Sequence, residues 1–284
     1  TLKYELNCFR RGYYEIGPLQ LKTGDLLGIV PEFDCQVSTS PLIVYPRIIP
    51  LRRLGMPSQL PFGTIASRLR IFQDPSRFFG VRDYDPSDSL RLINWKSSAR
   101  LDRLQTKRFQ PAIALNTVIF LDLNLQAYNV HSRAASEEMG IVAAASFAVH
   151  LSEQRQQVGL AILGRDELTG FTGLQNIPPA HGREHLMRIL EALARAGMAE
   201  TVPLTSLLPG ASTHLGWGST AIVIVPGDEA DILPALLQMR RQGLEVMVVA
   251  TDMQVPFKSF ESSLRQAGIP AYLVTQDKDL DVWR

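Results

Sequence analysis

Cysteine is nearly absent from this chain: Cys8 and Cys35 are the only two in 284 residues. Two thiols can neither staple a disulfide-dense secreted scaffold nor complete a four-thiolate zinc site, so a reducing compartment fits. Long apolar runs are missing as well. No stretch approaches the roughly 20 consecutive apolar residues that a bilayer-spanning helix needs, and no signal peptide opens the chain. It begins at Thr1 with strand-like sequence and no initiator Met, from which a further upstream segment is expected. There is no excess charge of either sign, with 29 Lys and Arg against 28 Asp and Glu, and hence no whole-molecule field to hold nucleic acid or an anionic membrane. The motifs of common chemistry are also lacking. No G-x-S-x-G elbow, P-loop or helix-opening G-x-G-x-x-G occurs, and neither Cys lies near a His in sequence.

What is present is an ordinary globular composition, 45% hydrophobic and 20% charged, in a chain long enough for two parts. Charge is distributed unevenly. Residues 68–108 hold ten Lys and Arg against five Asp and Glu, whereas residues 109–284 hold twelve against eighteen. The two stretches can attract each other or face different partners.

From Leu2 to Pro46 the residues favour short antiparallel strands: Tyr4, Leu6 and Cys8 alternate with polar residues, and Gly12, Gly17-Pro18, Gly24-Asp25 and Pro31 punctuate the runs. From Pro46 to Phe78 the chain is rich in Pro, Gly, Ser and Arg, as a loop or crossover is. From Thr117 onward, strand-length apolar runs alternate with segments of helical spacing. The strand candidates are Val118–Leu123, Val158–Leu163, Ala221–Val225, Val246–Ala250 and Ala271–Val274. The helix candidates are Ala134–Glu153, Arg183–Ala196, Glu229–Gln242 and Ser259–Ala267. This alternation predicts an α/β fold with a doubly wound, mostly parallel sheet. The predicted division is a β-rich part at 1–60, a linker at 61–110 and the α/β domain at 111–284. In such a sheet the binding crevice lies beyond the carboxyl ends of the strands, which singles out Asp122, Asn124, Gln126, Gly227, Asp228, Thr251 and Asp252.

The densest run of unusual residues is Phe79-Gly80-Val81-Arg82-Asp83-Tyr84-Asp85-Pro86-Ser87-Asp88-Ser89-Leu90-Arg91-Leu92-Ile93-Asn94-Trp95-Lys96-Ser97-Ser98-Ala99-Arg100. It resembles the signature of the bacterial domain-of-unknown-function family 58 (DUF58), with Ser87 where that family usually has Gly. Arg11-Gly12-Tyr13, Gly17-Pro18 and Val44-Tyr45-Pro46-Arg47 resemble the family too. The resemblance implies a von Willebrand factor A-like α/β domain and, in the full-length protein, a membrane anchor of N-terminal helices with this region on the cytoplasmic side. It further implies a partnership with a MoxR-class AAA+ ATPase in assembling or activating client proteins, without an established catalytic reaction.

Within the signature, Arg82, Arg91, Lys96 and Arg100 can make charge-assisted hydrogen bonds with Asp83, Asp85 and Asp88. If they do, with Tyr84 and Trp95 buried between them, the motif locks the N-terminal strands onto the α/β domain. If some cations stay free, they can take an acidic surface of a partner. The signature set to locate is therefore Arg82, Asp83, Tyr84, Asp88, Arg91, Asn94, Trp95, Lys96 and Arg100. Nucleic acid is not expected, since one Trp and one Tyr among five acids make a poor stacking platform.

Von Willebrand A domains commonly hold Mg²⁺ through D-x-S-x-S, a Thr and a further Asp, because a hard cation wants oxygens in near-octahedral array. Here the first loop reads Asp122-Leu123-Asn124-Leu125-Gln126, Asp228 stands in the third loop, and no Thr is obvious in the second. The pattern predicts no cofactor, or at most a degenerate divalent cation site at Asp122, Asn124 and Asp228.

One enzymatic alternative stands beside the interaction module. His181-Gly182-Arg183-Glu184-His185 matches H-x-x-E-H, in which two His a helical turn apart bind zinc and Glu activates water, with Glu261 as a possible distant ligand. Pro178-Pro179 just before it suggest a helix start instead. Leu186, Ile189, Leu190 and Leu193 form a core stripe that explains the helix without metal. His131, His150 and His214 stand alone.

Overall fold

The structure, a computed structural model, describes residues 5–23, 33–51, 73–84, 93–111, 116–216, 218–227, 232–252 and 257–281. It falls into two compact units, one formed by Thr1–Phe62 with Leu115–Arg284 and the other by Gly63–Ala114.

Four short strands open the larger unit: β1 (Gly12–Ile16), β2 (Leu19–Thr23), β3 (Phe33–Val37) and β4 (Ser40–Val44). β1 pairs antiparallel with β4, Tyr13 opposite Ile43, and β2 pairs antiparallel with β3. Short antiparallel strands are what the turn-punctuated pattern predicts. The alternation through Leu6 and Cys8 is an exception, because residues 5–9 are irregular and exposed. Alternating side chains make a strand only where a neighbour takes the backbone hydrogen bonds, and none of the strands described pairs with this run.

Among its described residues the smaller unit holds β5 (Gln73–Asp83), helix α1 (Trp95–Leu101) and β6 (Gln105–Pro111). β5 and β6 run antiparallel from Gln73 opposite Pro111 to Asp83 opposite Gln105, with register shifts on either side of Phe78. The expected loop from Pro46 to Phe78 thus ends early, at Gln73, because β6 supplies a partner. Residues 52–72 lie outside the described residues.

The remainder alternates as the apolar runs predict: β7 (Asn116–Asp122), α2 (Arg133–Glu153), β8 (Gln157–Asp166), β9 (Thr172–Ala180), α3 (Arg183–Arg195), β10 (Ala196–Gly197), α4 (Leu204–Ala211), β11 (Thr220–Val225), α5 (Ile232–Arg241), β12 (Glu245–Ala250), α6 (Phe257–Gln266), β13 (Ala271–Leu273) and α7 (Asp277–Asp281). Strands β8, β7, β11, β12 and β13 lie side by side in that order, all parallel, with β9 and β10 antiparallel to β8. This is a doubly wound sheet. Its strands read as continuous apolar runs because both faces are covered. Ile119, Leu121, Ile222 and Val249 pack with α2 and α3 on one face. Val118, Phe120, Val223 and Val248 pack with α4, α5 and α6 on the other.

Helix α2 has no polar side over most of its length: Ile141, Val142, Ala143, Ala144, Ala145, Phe147 and Ala148 are all fully buried. A helix apolar all round is one enclosed by its neighbours. The sheet lies against it, and the segment after β4 adds Leu51 to the same core. There the Ile49 N–H donates to Ser146 Oγ at 3.0 Å.

Arg11, just before β1, fastens the N-terminal strands at a second point. Its guanidinium donates to Glu138 at 2.9 Å and Glu137 at 3.4 Å on α2, and to the carbonyls of Leu193, Ala194 and Ala196 at the end of α3. A cation at a helix carboxyl terminus satisfies carbonyls that have no partner inside the helix and complements the helix dipole.

Two elements depart from the sequence pattern. Pro178-Pro179, expected at a helix start, lie inside β9, an edge strand that tolerates residues without an N–H. Their fit depends on Gly159 across the ladder, where a Cβ would stand 2.9 Å from Pro179 N and from Ile177 O. Helix α4 was masked in the pattern by Pro209 and Gly210, yet Leu204 and Leu208 anchor it in the core.

Candidate functional site

The carboxyl ends of β7 and β11 lie side by side while their connections lead to opposite sides of the sheet, the switch point at which doubly wound folds bind ligands. Asp122 ends β7 with its side chain wholly buried. Its Oδ1 accepts the Asn124 N–H at 2.8 Å, and its backbone carbonyl accepts the Tyr128 hydroxyl at 2.6 Å. Asn124 caps a 3-10 turn at Leu125–Ala127, its Oδ1 accepting the Gln126 N–H at 3.3 Å and the Thr201 N–H at 3.4 Å. Two backbone bonds, Leu125 N to Ala199 O and Ala199 N to Leu123 O, lace the same loop to the segment that follows β10. From the end of β12, Asp252 accepts the Ser132 hydroxyl. Burial, then the carboxylates of Asp122, Glu137 and Asp252, push the Tyr128 hydroxyl well above the usual tyrosine range, so it stays a donor. On the same segments of chain, Val130 and Val202 are exposed at 72% and 56%, and Gln126 is exposed as well.

Thr201 is the residue that sequence reasoning missed. The expected second loop held no obvious Thr, yet the turn after β10 carries Thr201 to Asn124, its Oγ1 buried without a hydrogen-bond partner among the described residues. Asp228 lies outside the described residues. Of the other oxygens here, the Asn124 amide oxygen accepts from two backbone N–H groups and the Asp252 carboxylate accepts the Ser132 hydroxyl.

The signature residues form a separate hydrogen-bonded cluster around α1. Asn94 caps the helix, its Oδ1 accepting the Ser97 N–H at 3.2 Å, and its own N–H donates to the Gln105 carbonyl at 2.7 Å. Ser98 Oγ donates to the Asn94 carbonyl and accepts the Gln105 N–H, both at 2.9 Å. Asp83 accepts from the Gln105 side-chain amide and from Arg103 at 3.4 Å. Tyr84 is half-buried, its N–H donating to the Leu104 carbonyl at 2.9 Å. Trp95, expected inside, is 67% exposed, and Lys96 and Arg100 are exposed with no acidic partner among the described residues. Trp95 is thus outside rather than buried, and among the described residues Arg11, with Ile49 and Leu51, makes the contacts that hold the N-terminal strands to α2 and α3. Arg82 stands on β5 opposite Thr106, and its side chain, with Asp85, Asp88 and Arg91, lies outside the described residues.

A family model described as a protein of unknown function, DUF58, matches residues 80–267. The chain belongs to DUF58. The uncharacterized protein YeaD of Bacillus subtilis (strain 168) is 27% identical over 206 residues, which are 72% of this chain and 48% of YeaD. The DUF58 chain thus spans about half the length of this curated relative. Among solved structures, the pilus adhesin SpaC of Lactobacillus rhamnosus GG in its open conformation is similar over 60% of the chain and 29% of SpaC, at 12% identity and a TM-score of 0.44. A von Willebrand factor type A structure from Catenulispora acidiphila is similar over 62% of the chain and 41% of its own length, at 12% identity and a TM-score of 0.39. The strand order described above establishes an α/β fold with a doubly wound, mostly parallel sheet.

The H-x-x-E-H residues of this DUF58 chain are dispersed. His181 precedes α3, separated from it by Gly182 at φ +102°, so the two His do not share a helical face. His185 Nε2 donates to the Val158 carbonyl at 2.7 Å, tying α3 to β8. Glu184 pairs with Arg188 at 3.0 Å, and Glu261 with Arg265 at 3.1 Å. Among the described residues no group of three or more His, Cys, Asp and Glu side chains converges to hold a metal. The zinc-peptidase arrangement is corrected accordingly, since its ligands need one helical face.

Proposed function

We propose that this chain is a protein-binding adaptor module that engages its partner at the carboxyl end of the parallel sheet and performs no chemistry of its own. The observation that carries the reading is the crevice floor: the segment after β7 is bonded to that after β10 through Asn124 and Thr201 and to the end of β12 through Ser132 and Asp252, and the same segments carry exposed Val130 and Val202. Loops held in one geometry lose little entropy on binding, and apolar side chains on them give contact area. The proposed partner is a MoxR-class AAA+ ATPase, with client proteins assembled or activated by the pair. The proposed setting is the cytoplasmic face of a membrane that anchors the longer protein.

The test is equilibrium binding of a purified MoxR-class ATPase to the intact chain, compared with Val130→Glu and Val202→Glu. Each substitution is expected to weaken binding about tenfold or more, since a charge placed in an apolar contact costs more than about 1.4 kcal/mol. Circular dichroism checks the fold. Unchanged affinity in both variants would remove the crevice from the reading, and absence of binding by the parent chain would remove the ATPase.

A further inference from the structure

Helix α1 turns an unusual face outward. Ser98 points inward, bonded to Asn94 and Gln105. At about 100° per residue, Lys96 and Arg100 point away from it, one turn apart on the same face, with Ala99 beside them and Trp95 on the flank between Ala99 and Ser98. All four are exposed, and Trp95 is so at 67%. Exposed Leu101, Arg103 and Leu104 continue the surface past the helix end. The stretch 68–108 to which they belong carries five more positive charges than negative. The indole leaves apolar surface in water beside two cations that have no acidic partner among the described residues, an arrangement that a partner surface would cover. Trp and Arg are also the side chains that dominate the binding energy of protein interfaces.

We infer that the outward face of α1, formed by Trp95, Lys96 and Arg100, is a second docking surface, and that it takes an acidic protein segment carrying apolar side chains beside its carboxylates. Charge complementarity selects the partner: Lys96 and Arg100 need carboxylates, and the indole needs an apolar neighbour to leave water. The surface belongs to the Gly63–Ala114 unit and stands independently of the crevice reading. Asn94 and Ser98 serve it as positioning residues, fixing the helix start and pinning its inner face to the backbone of β6.

The experiment uses the intact chain with Trp217→Phe and Trp283→Phe, so that Trp95 is the one remaining indole. Its emission is followed while a synthetic amphipathic helix of Glu and Leu is added, with a Lys and Leu helix of equal length as the counterpart. The expected result is a saturable blue shift with the Glu helix, at least tenfold weaker after K96E with R100E and weakened by raising the salt. Circular dichroism and thermal unfolding confirm that the charge-reversed chain folds. No shift with the Glu helix overturns the inference, and so does an equal shift with the Lys helix, which would make the contact merely apolar. An indole already shielded from acrylamide before any addition overturns it as well, because the face is then covered within the chain. A shift with phosphatidylglycerol vesicles and none with the Glu helix overturns it in favour of a membrane surface. Crevice variants at Val130 and Val202 leave this titration unchanged, so the two readings fail separately.

Discussion

The described residues of the two compact units bury different kinds of side chain. In the α/β unit the strand residues Val118 to Leu121, Ala221 to Val225 and Val246 to Ala250 are buried, and polar groups are rare among them. In the signature unit the buried described residues are Ile93 with Ser98, Gln105 and Thr106, while Trp95, Leu101 and Leu104 face outward. Among the described residues, the first unit buries long apolar runs, while the second buries polar side chains, Ser98 above all, that satisfy backbone groups. A fold of the first kind tolerates change at its rim, whereas one of the second is sensitive to single polar atoms.

The sharpest way to probe that contrast is a cavity in the parallel sheet. Leu121→Ala, at a side chain with no exposure, is expected to lower unfolding stability by about 2–5 kcal/mol in denaturant titration. Next comes Arg11→Ala, which leaves Glu137 and the α3 carbonyls without their cation. A loss of about 2 kcal/mol is expected, read by the same titration. Its pH dependence has a defined sign. Burial raises the Glu137 carboxyl above the ordinary glutamate range, while Arg11 lowers it. The stability linked to a raised carboxyl is fully present below the ordinary glutamate range and is lost as pH rises through the raised value. Removing Arg11 is expected to extend that loss to higher pH, and Glu137→Gln to flatten it; urea midpoints between pH 4 and 8 follow both.

In the signature unit, Asn94→Ala removes the cap of α1 and is expected to cost about 1 kcal/mol, seen as faster amide exchange at Ser97 and Ser98. If the loss spreads to the amides of β7 or β11, the two units are energetically coupled and the contrast between them fails. The smallest expected effect is that of Lys96→Glu with Arg100→Glu, within about 0.5 kcal/mol in thermal unfolding, since substitutions of exposed side chains change folded-state stability little.

Much of the α/β unit was legible because a parallel sheet covered on both faces needs consecutive apolar residues, and Val118–Leu123 or Val246–Ala250 cannot be hidden otherwise. β9 was not legible. Its prolines contradict strand propensity, and they are accommodated by Gly159 on a neighbour reached only through the ladder. Trp95 was misplaced for a related reason: an aromatic flanked by charges reads as a buried anchor, and nothing local says that Ser98 faces inward instead.

Sequence by itself determined the family, through the run from Gly80 to Arg100, and the alternation of strands and helices, through the period of its apolar residues. Both are properties of neighbouring positions. Tertiary structure alone decided that Thr201 meets Asn124 across 77 positions and that Arg11 reaches the end of α3. Those contacts depend on which strands lie side by side, and hydrogen bonds between distant residues leave no period in the chain that makes them.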